Sequence, residues 1–173
     1  MNKQYAIAFF EIAKEDNTLE LCKQSFDTFI EMTKMEEDLM QVLKSPAISN
    51  MKKRDLIKNA FICCEADFIY FLNVVMDNGR IANIFDIYKE FIYLYNEDKG
   101  IKVVEVESAS RLSLDEEQKL LTSLKKCYSG YSIVINNKID PRVVGGYRIL
   151  VNGSSVDLSV KRKIENLEKF ITN

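Results

Sequence analysis

The chain of 173 residues contains no histidine. That absence removes the Ser-His-Asp and Cys-His nucleophile systems, and with them every histidine-bearing metal site. Glycine and proline are scarce, at six and two residues, and residues 1–78 hold no glycine and one proline, Pro46. A basic excess is also lacking. Twenty-four Lys and Arg meet 26 Asp and Glu, for a net charge of −2, and nucleic-acid binders usually carry a clear positive surplus. The four cysteines, Cys22, Cys63, Cys64 and Cys127, form no C-x-x-C pair, so zinc-ribbon and thioredoxin-like patterns fail. We read them as free thiols in a reducing compartment, several of them buried as small apolar groups. Cys63 and Cys64 fall in a helix-like stretch, where a disulfide between neighbours would be strained. The most apolar run, Phe68 to Met76, is far shorter than the roughly 20 residues a membrane-spanning helix needs. The opening MNKQYAIAFFEIAKED is interrupted by Glu11 and Lys14, which argues against a secretory signal. These absences lead us to expect a soluble protein with no metal or cofactor, and they weigh against catalysis without excluding it.

Composition divides the chain. Four of the six glycines lie between Gly130 and Gly153, and 14 of the 18 Phe and Tyr precede residue 100. Residues 1–100 carry twelve basic and seventeen acidic groups, a net −5, whereas 101–173 carry twelve and nine, a net +3. The sequence NEDKG at Asn96–Gly100 reads as a helix end closed by glycine. We therefore expect two domains, 1–100 and 101–173.

The first domain reads as helices. Tyr5, Ala8, Phe9 and Ile12 recur at helical spacing, and Leu19, Cys22, Phe26, Phe29 and Ile30 continue it. Leu39 to Leu43 stops before Ser45-Pro46. Ser49 or Asn50 can cap a helix through Leu56, Ile57, Ala60 and Phe61. Asp67 to Asp77 ends at Asn78-Gly79, and Ile81 to Tyr95 gives the longest stripe. The expectation is mainly α, with a six-helix antiparallel bundle first.

The second domain changes period. Lys102 to Glu107 and Tyr131 to Ile135 read as strands, and Tyr147 to Val151 as a third before the Asn152-Gly153 turn. Ser113-Leu114-Asp115-Glu116 is a capping box for a helix placing Leu120, Leu121, Leu124 and Cys127 on one side. A last helix carries Val160, Ile164, Leu167 and Ile171. The order is β-α-β-β-α, a small α+β domain.

Each string that suggests chemistry has a plainer explanation. Asp140-Pro141-Arg142-Val143-Val144-Gly145-Gly146 precedes a strand, whereas phosphate loops precede a helix, so it reads as a turn. Asp157 and Ser159 lack a histidine base and fit the start of the last helix. Glu36-Glu37-Asp38, Lys52-Lys53-Arg54 and Lys161-Arg162-Lys163 read as solvated faces. Two helices are more apolar than a one-sided helix requires. In the first, Tyr5/Phe9/Ile12 form one stripe and Ala6/Phe10/Ala13 another, and Phe68 to Met76 is apolar nearly all round. Central core helices explain this, and so does a groove for a partner helix, with Ala6 and Ala13 permitting close approach.

The chain resembles the delta subunit of bacterial F-type ATP synthase, whose mitochondrial counterpart is the oligomycin-sensitivity-conferring protein. The resemblance rests on five strings in order along the chain. They are Tyr5-Ala6-x-Ala8-x-Phe10-Glu11-x-Ala13, then Pro46 with the Lys-containing helix to Phe61, then Phe71-Leu72-x-Val74-x-Met76-x-Asn78-Gly79-Arg80. Val106-x-Ser108-Ala109 with Leu112-Ser113 follows, and then Ile139-Asp140-Pro141, Gly145-Gly146 and Val156-Asp157-x-Ser159-Val160-Lys161. The sequence departs from the family pattern at Gln4, Tyr70 and Asn152-Gly153-Ser154-Ser155.

The resemblance implies a connector in the peripheral stalk, on the cytoplasmic face of the cell membrane and attached to it only through the complex. The N-terminal domain would grip N-terminal helices of the alpha subunits between its first and fifth helices. That maps onto Tyr5, Ala6, Phe9, Phe10 and Ala13, and onto Phe71, Leu72, Val75 and Met76. The C-terminal domain would hold the b subunits, so that the stalk resists rotor torque. The main competing reading is a helical RNA-binding or antitermination factor, which the −5 of residues 1–100 disfavours, and an enzyme using Asp140 or Asp157 comes third.

Overall fold

The computed structural model describes residues 2–143, 147–151 and 154–157. Among the described residues, seven α-helices and a small mixed sheet make it mainly helical. The chain divides into two compact units, Met1–Tyr95 and Asn96–Asn173.

The first unit is built from α1 (Asn2–Glu15), α2 (Leu19–Met35), α3 (Glu37–Lys44), α4 (Asn50–Ala60) and α5 (Ala66–Asp77). A 3-10 turn at Ile81–Asn83 then leads into α6 (Ile84–Asp98), so the long stripe from Ile81 begins one tight turn before the α-helix. Gly79 ends α5 in the left-handed region at φ +66°, and Gly100 does the same after α6 at +62°, a conformation that costs glycine little. Ser49 takes the N-cap position of α4 but its side chain makes no cap bond.

Phenylalanine makes the core. Phe9 of α1 stacks on Phe71 of α5 with ring centroids 4.2 Å apart, and meets Phe91 of α6 at 5.1 Å and Phe26 of α2 at 6.1 Å. Phe29 and Phe61 extend the cluster at 5.1 Å. Such pairs add about 0.5–1.5 kcal/mol each beyond the area they bury. A polar seam ties α2 to α6. Tyr88 donates its hydroxyl to Asp27 at 2.6 Å, and Tyr95 donates to Glu20 at 2.6 Å. Burial, then the carboxylate that accepts from it, pushes the Tyr95 phenol up to about 12 and drives Tyr88 up as well.

The second unit contains β1 (Ile101–Ser108), α7 (Leu114–Cys127), β2 (Ser132–Ile139), β3 (Tyr147–Val151) and β4 (Ser154–Asp157). The sheet order is β2-β1-β3-β4, with β1 parallel to β2 and antiparallel to β3. Central β1 is rich in valine because it is packed closely. Val104 and Val106 are buried with Leu120 and Leu124 of α7 and Ile149 of β3. The capping box forms as the sequence predicts: the Ser113 side chain accepts from the Glu116 amide, and the Ser113 amide donates to the Glu116 carboxylate at 2.9 Å.

Several expectations need correction. Among the described residues the sheet has four strands rather than three. Asp157, expected to start a helix, ends β4 opposite Arg148. Ser154–Asp157 is short and mostly polar, so no apolar alternation marks it. β2 runs to Ile139 rather than Ile135, because pairing with β1 continues through the polar Asn136-Asn137-Lys138. The Asn137 side chain donates to the Val106 carbonyl and to Ser108 Oγ, and accepts from the Leu112 amide. α3 starts at Glu37, two residues before its apolar stripe. Only Cys22 is buried. Cys63 and Cys127 are exposed, Cys64 is intermediate, and all four are free. Cys63 and Cys64 sit in a turn after α4 rather than in a helix. The expected last helix with Val160, Ile164, Leu167 and Ile171, and the motifs at Gly145-Gly146, Asn152-Gly153 and Ser159, lie outside the described residues.

Candidate functional site

The nine residues singled out for a partner groove do not share one environment. Ala6, Phe9, Ala13, Phe71, Leu72, Val75 and Met76 are all buried in the chain by itself, while Tyr5 and Phe10 are half-buried. The small side chains of Ala6 and Ala13 therefore let α1 approach its own neighbours. Phe10 turns to α6, where its ring meets Phe91 edge-on at 6.4 Å, and Lys14 Nζ lies 5.7 Å from the Phe10 ring centre.

Helix geometry locates what remains open. Tyr5 and Ile12 lie four residues before and three after Phe9, so they share its side of α1. Val74 lies three residues after Phe71 on α5, and Tyr70 one turn before Val74. Because Phe9 stacks on Phe71, these residues flank the seam between α1 and α5. Thr18 closes one end of that seam, donating its hydroxyl to Asp67 at 3.1 Å. Ile12 is 47% exposed and Tyr70 is 71% exposed. Tyr5 and Val74 are half-buried, and Ala8 is open. An apolar strip thus runs along the seam above a closed phenylalanine core. The sequence reading does not select Ile12, Tyr70, Val74 or Ala8, though Ile12 belongs to one of its two stripes. Spacing finds the apolar residues, but which edge of a stripe the neighbouring helices leave open depends on the packing.

Little in this geometry suits catalysis. Among the described residues, no three His, Cys, Asp or Glu side chains gather as a metal site, and no helix is long and apolar enough to cross a membrane. Asp140 bonds to Arg142: its carboxylate accepts from the Arg142 amide at 3.0 Å and from the guanidinium at 2.8 Å. Those bonds hold its carboxyl down at about 2, as a structural turn requires. A cavity of about 380 Å³ lies between Arg111, Leu112, Glu117, Ile135, Asn137 and Ile139. Its amide, Asn137, is already committed to the chain's own backbone.

Comparison with known proteins decides the family. The family model for the ATP synthase delta (OSCP) subunit matches residues 1–171. This chain belongs to the ATP synthase delta (OSCP) family. It is 30% identical over 171 residues to ATP synthase subunit delta of Oceanobacillus iheyensis, covering 99% of this chain and 94% of the relative. It is 32% identical over 170 residues to ATP synthase subunit delta of Anoxybacillus flavithermus, covering 98% and 96%. The fold matches a chain in a cryo-electron microscopy structure of the Toxoplasma gondii mitochondrial ATP synthase hexamer. That match has a TM-score of 0.82 at 18% identity, covering 100% of this chain and 98% of that one. Membership makes the chain a non-catalytic stator subunit of an F-type ATP synthase, and the RNA-binding alternative falls away. The family's subunits connect and do no chemistry, which fits an apolar strip better than a catalytic pocket.

Proposed function

We propose that the strip along the α1–α5 seam is where the chain grips an N-terminal helix of an alpha subunit, and that the second unit holds the b subunits. The observation that carries the first half is the exposure of Ile12 and Tyr70 beside half-buried Tyr5 and Val74, directly above the Phe9–Phe71 stack. An amphipathic helix laid along this strip buries apolar surface on both sides, the usual mode of helix-in-groove recognition. The packed rings beneath give it a firm floor. For the b subunits, residues 102–173 offer β2. It is an edge strand of the described sheet with Val134 and Ile139 half or more exposed. Gripped at both units, the chain links the catalytic head to the stalk on the cytoplasmic face of the membrane and transmits the reaction to rotor torque. Residues 1–100 and 101–173 then act as its two functional domains.

Calorimetric titration of the whole chain with a synthetic peptide of the alpha-subunit N-terminus from the same organism tests the seam. One-to-one binding with a negative heat-capacity change is expected, the signature of apolar burial. A folded chain that takes up no peptide refutes the seam as the docking site.

A further inference from the structure

Two adjacent thiols occupy the turn between Ala60, where α4 ends, and Ala66, where α5 begins. Cys63 is exposed and Cys64 half-buried, with the Cys64 sulfur 4.0 Å from the Ser25 carbonyl oxygen of α2. The next amide, Glu65, donates to Ser25 Oγ at 2.8 Å. On the other side, Phe61 is buried against Phe29. The backbone of the pair is therefore held from both ends while its outer side is open, as the 86% exposure of the intervening Ile62 shows. Burial, with a smaller contribution from the neighbouring Cys63, pushes the Cys64 thiol up.

Two features select a ligand class. A disulfide between adjacent residues is geometrically strained, so the pair is better suited to binding than to oxidation. Zinc takes four ligands, yet no third His, Cys, Asp or Glu joins these two sulfurs among the described residues. Two sulfurs alone match a thiophilic centre that brings its own third substituent. We propose that Cys63 and Cys64 form a two-thiolate site for a trivalent organoarsenical. An arsenoxide, R–As=O, exchanges its oxygen for two As–S bonds there. Both thiol protons leave with that oxygen as water, and arsenic stays trivalent, so no oxidant or reductant takes part. Cys22 is buried and Cys127, exposed in the second unit, has no neighbouring cysteine in the sequence.

The test treats the full chain with phenylarsine oxide in excess 2-mercaptoethanol and measures the intact mass. A single sulfur cannot hold arsenic against excess monothiol, whereas a chelating pair can. The expected result is one phenylarsenic group per chain, removed by 2,3-dimercaptopropanol. It is retained in Cys22→Ser and Cys127→Ser, and falls from one equivalent to none in Cys63→Ser and in Cys64→Ser. Cys63 is exposed, so its variant keeps the fold and leaves the test sound even if Cys64→Ser loosens the turn. Absence of a monothiol-resistant adduct, or its survival in Cys63→Ser, overturns the proposal.

Discussion

Replacing Ile12 by aspartate separates docking from folding. In the chain alone Ile12 is 47% exposed, while Phe9, three residues earlier, is 2% exposed. A helix laid over the seam takes the open half of the Ile12 side chain out of water. Complete burial of an isoleucine is worth about 1.5–3 kcal/mol, so that half contributes about 1 kcal/mol. Aspartate removes the contribution and adds the cost of covering an unpartnered polar group, about 1–3 kcal/mol. The peptide should therefore bind about 2–4 kcal/mol more weakly, roughly a 30- to 700-fold rise in Kd. Stability should fall by only about 1 kcal/mol, the share of the half of Ile12 that the chain itself covers, which leaves the protein folded. Phe9→Ala is the matched opposite. It removes the ring that stacks on Phe71 and meets Phe91 and Phe26, and should cost about 3–5 kcal/mol of stability. Calorimetry reads the first effect and urea unfolding the second. If Ile12→Asp binds the peptide as tightly as the parent while both remain folded, the seam assignment is wrong.

Three further outcomes follow from local geometry. The Asp140 carboxyl, held at about 2 by Arg142, lies below its unfolded value of about 3.9. Its stabilising effect is therefore complete above that value and is lost as pH falls through about 2. A carboxyl-carbon NMR titration should place the midpoint there, and Arg142→Gln should return it toward the unfolded value. Ser113→Ala removes the acceptor for the Glu116 amide and should lower stability by about 1 kcal/mol, measured by urea unfolding. Gly79→Ala meets no atom within 4 Å but keeps φ +66°, so backbone strain alone should cost about 1 kcal/mol in the same assay.

Where the physics is local, sequence and structure agree. The Ser113–Glu116 box, the glycine stops at Gly79 and Gly100 and the valine-rich β1 each depend on residues within a few positions. Where contacts are distant, the sequence reading falls short. Asn136-Asn137-Lys138 looks like a strand end, yet β1 pairs with all of it, and Asn137 spends its amide on Val106, Ser108 and Leu112. The 3-10 turn at Ile81–Asn83 hides inside a helical stripe because its apolar spacing is nearly the same.

The candidate site follows the same division. Residue types and order were enough to point to the family, to α1 and α5 as the unusually apolar helices, and to a connector without histidine chemistry. Amphipathic periodicity cannot say which edge of a broad apolar stripe other helices cover, because that depends on where they cross. Only the tertiary structure decided that Ala6, Phe9, Ala13, Phe71, Leu72, Val75 and Met76 lie in the core while Ile12 and Tyr70 stay open to water. The physical reason is that a side chain's exposure is set by neighbours far away in sequence, whereas its helix, cap and turn are set by neighbours close to it.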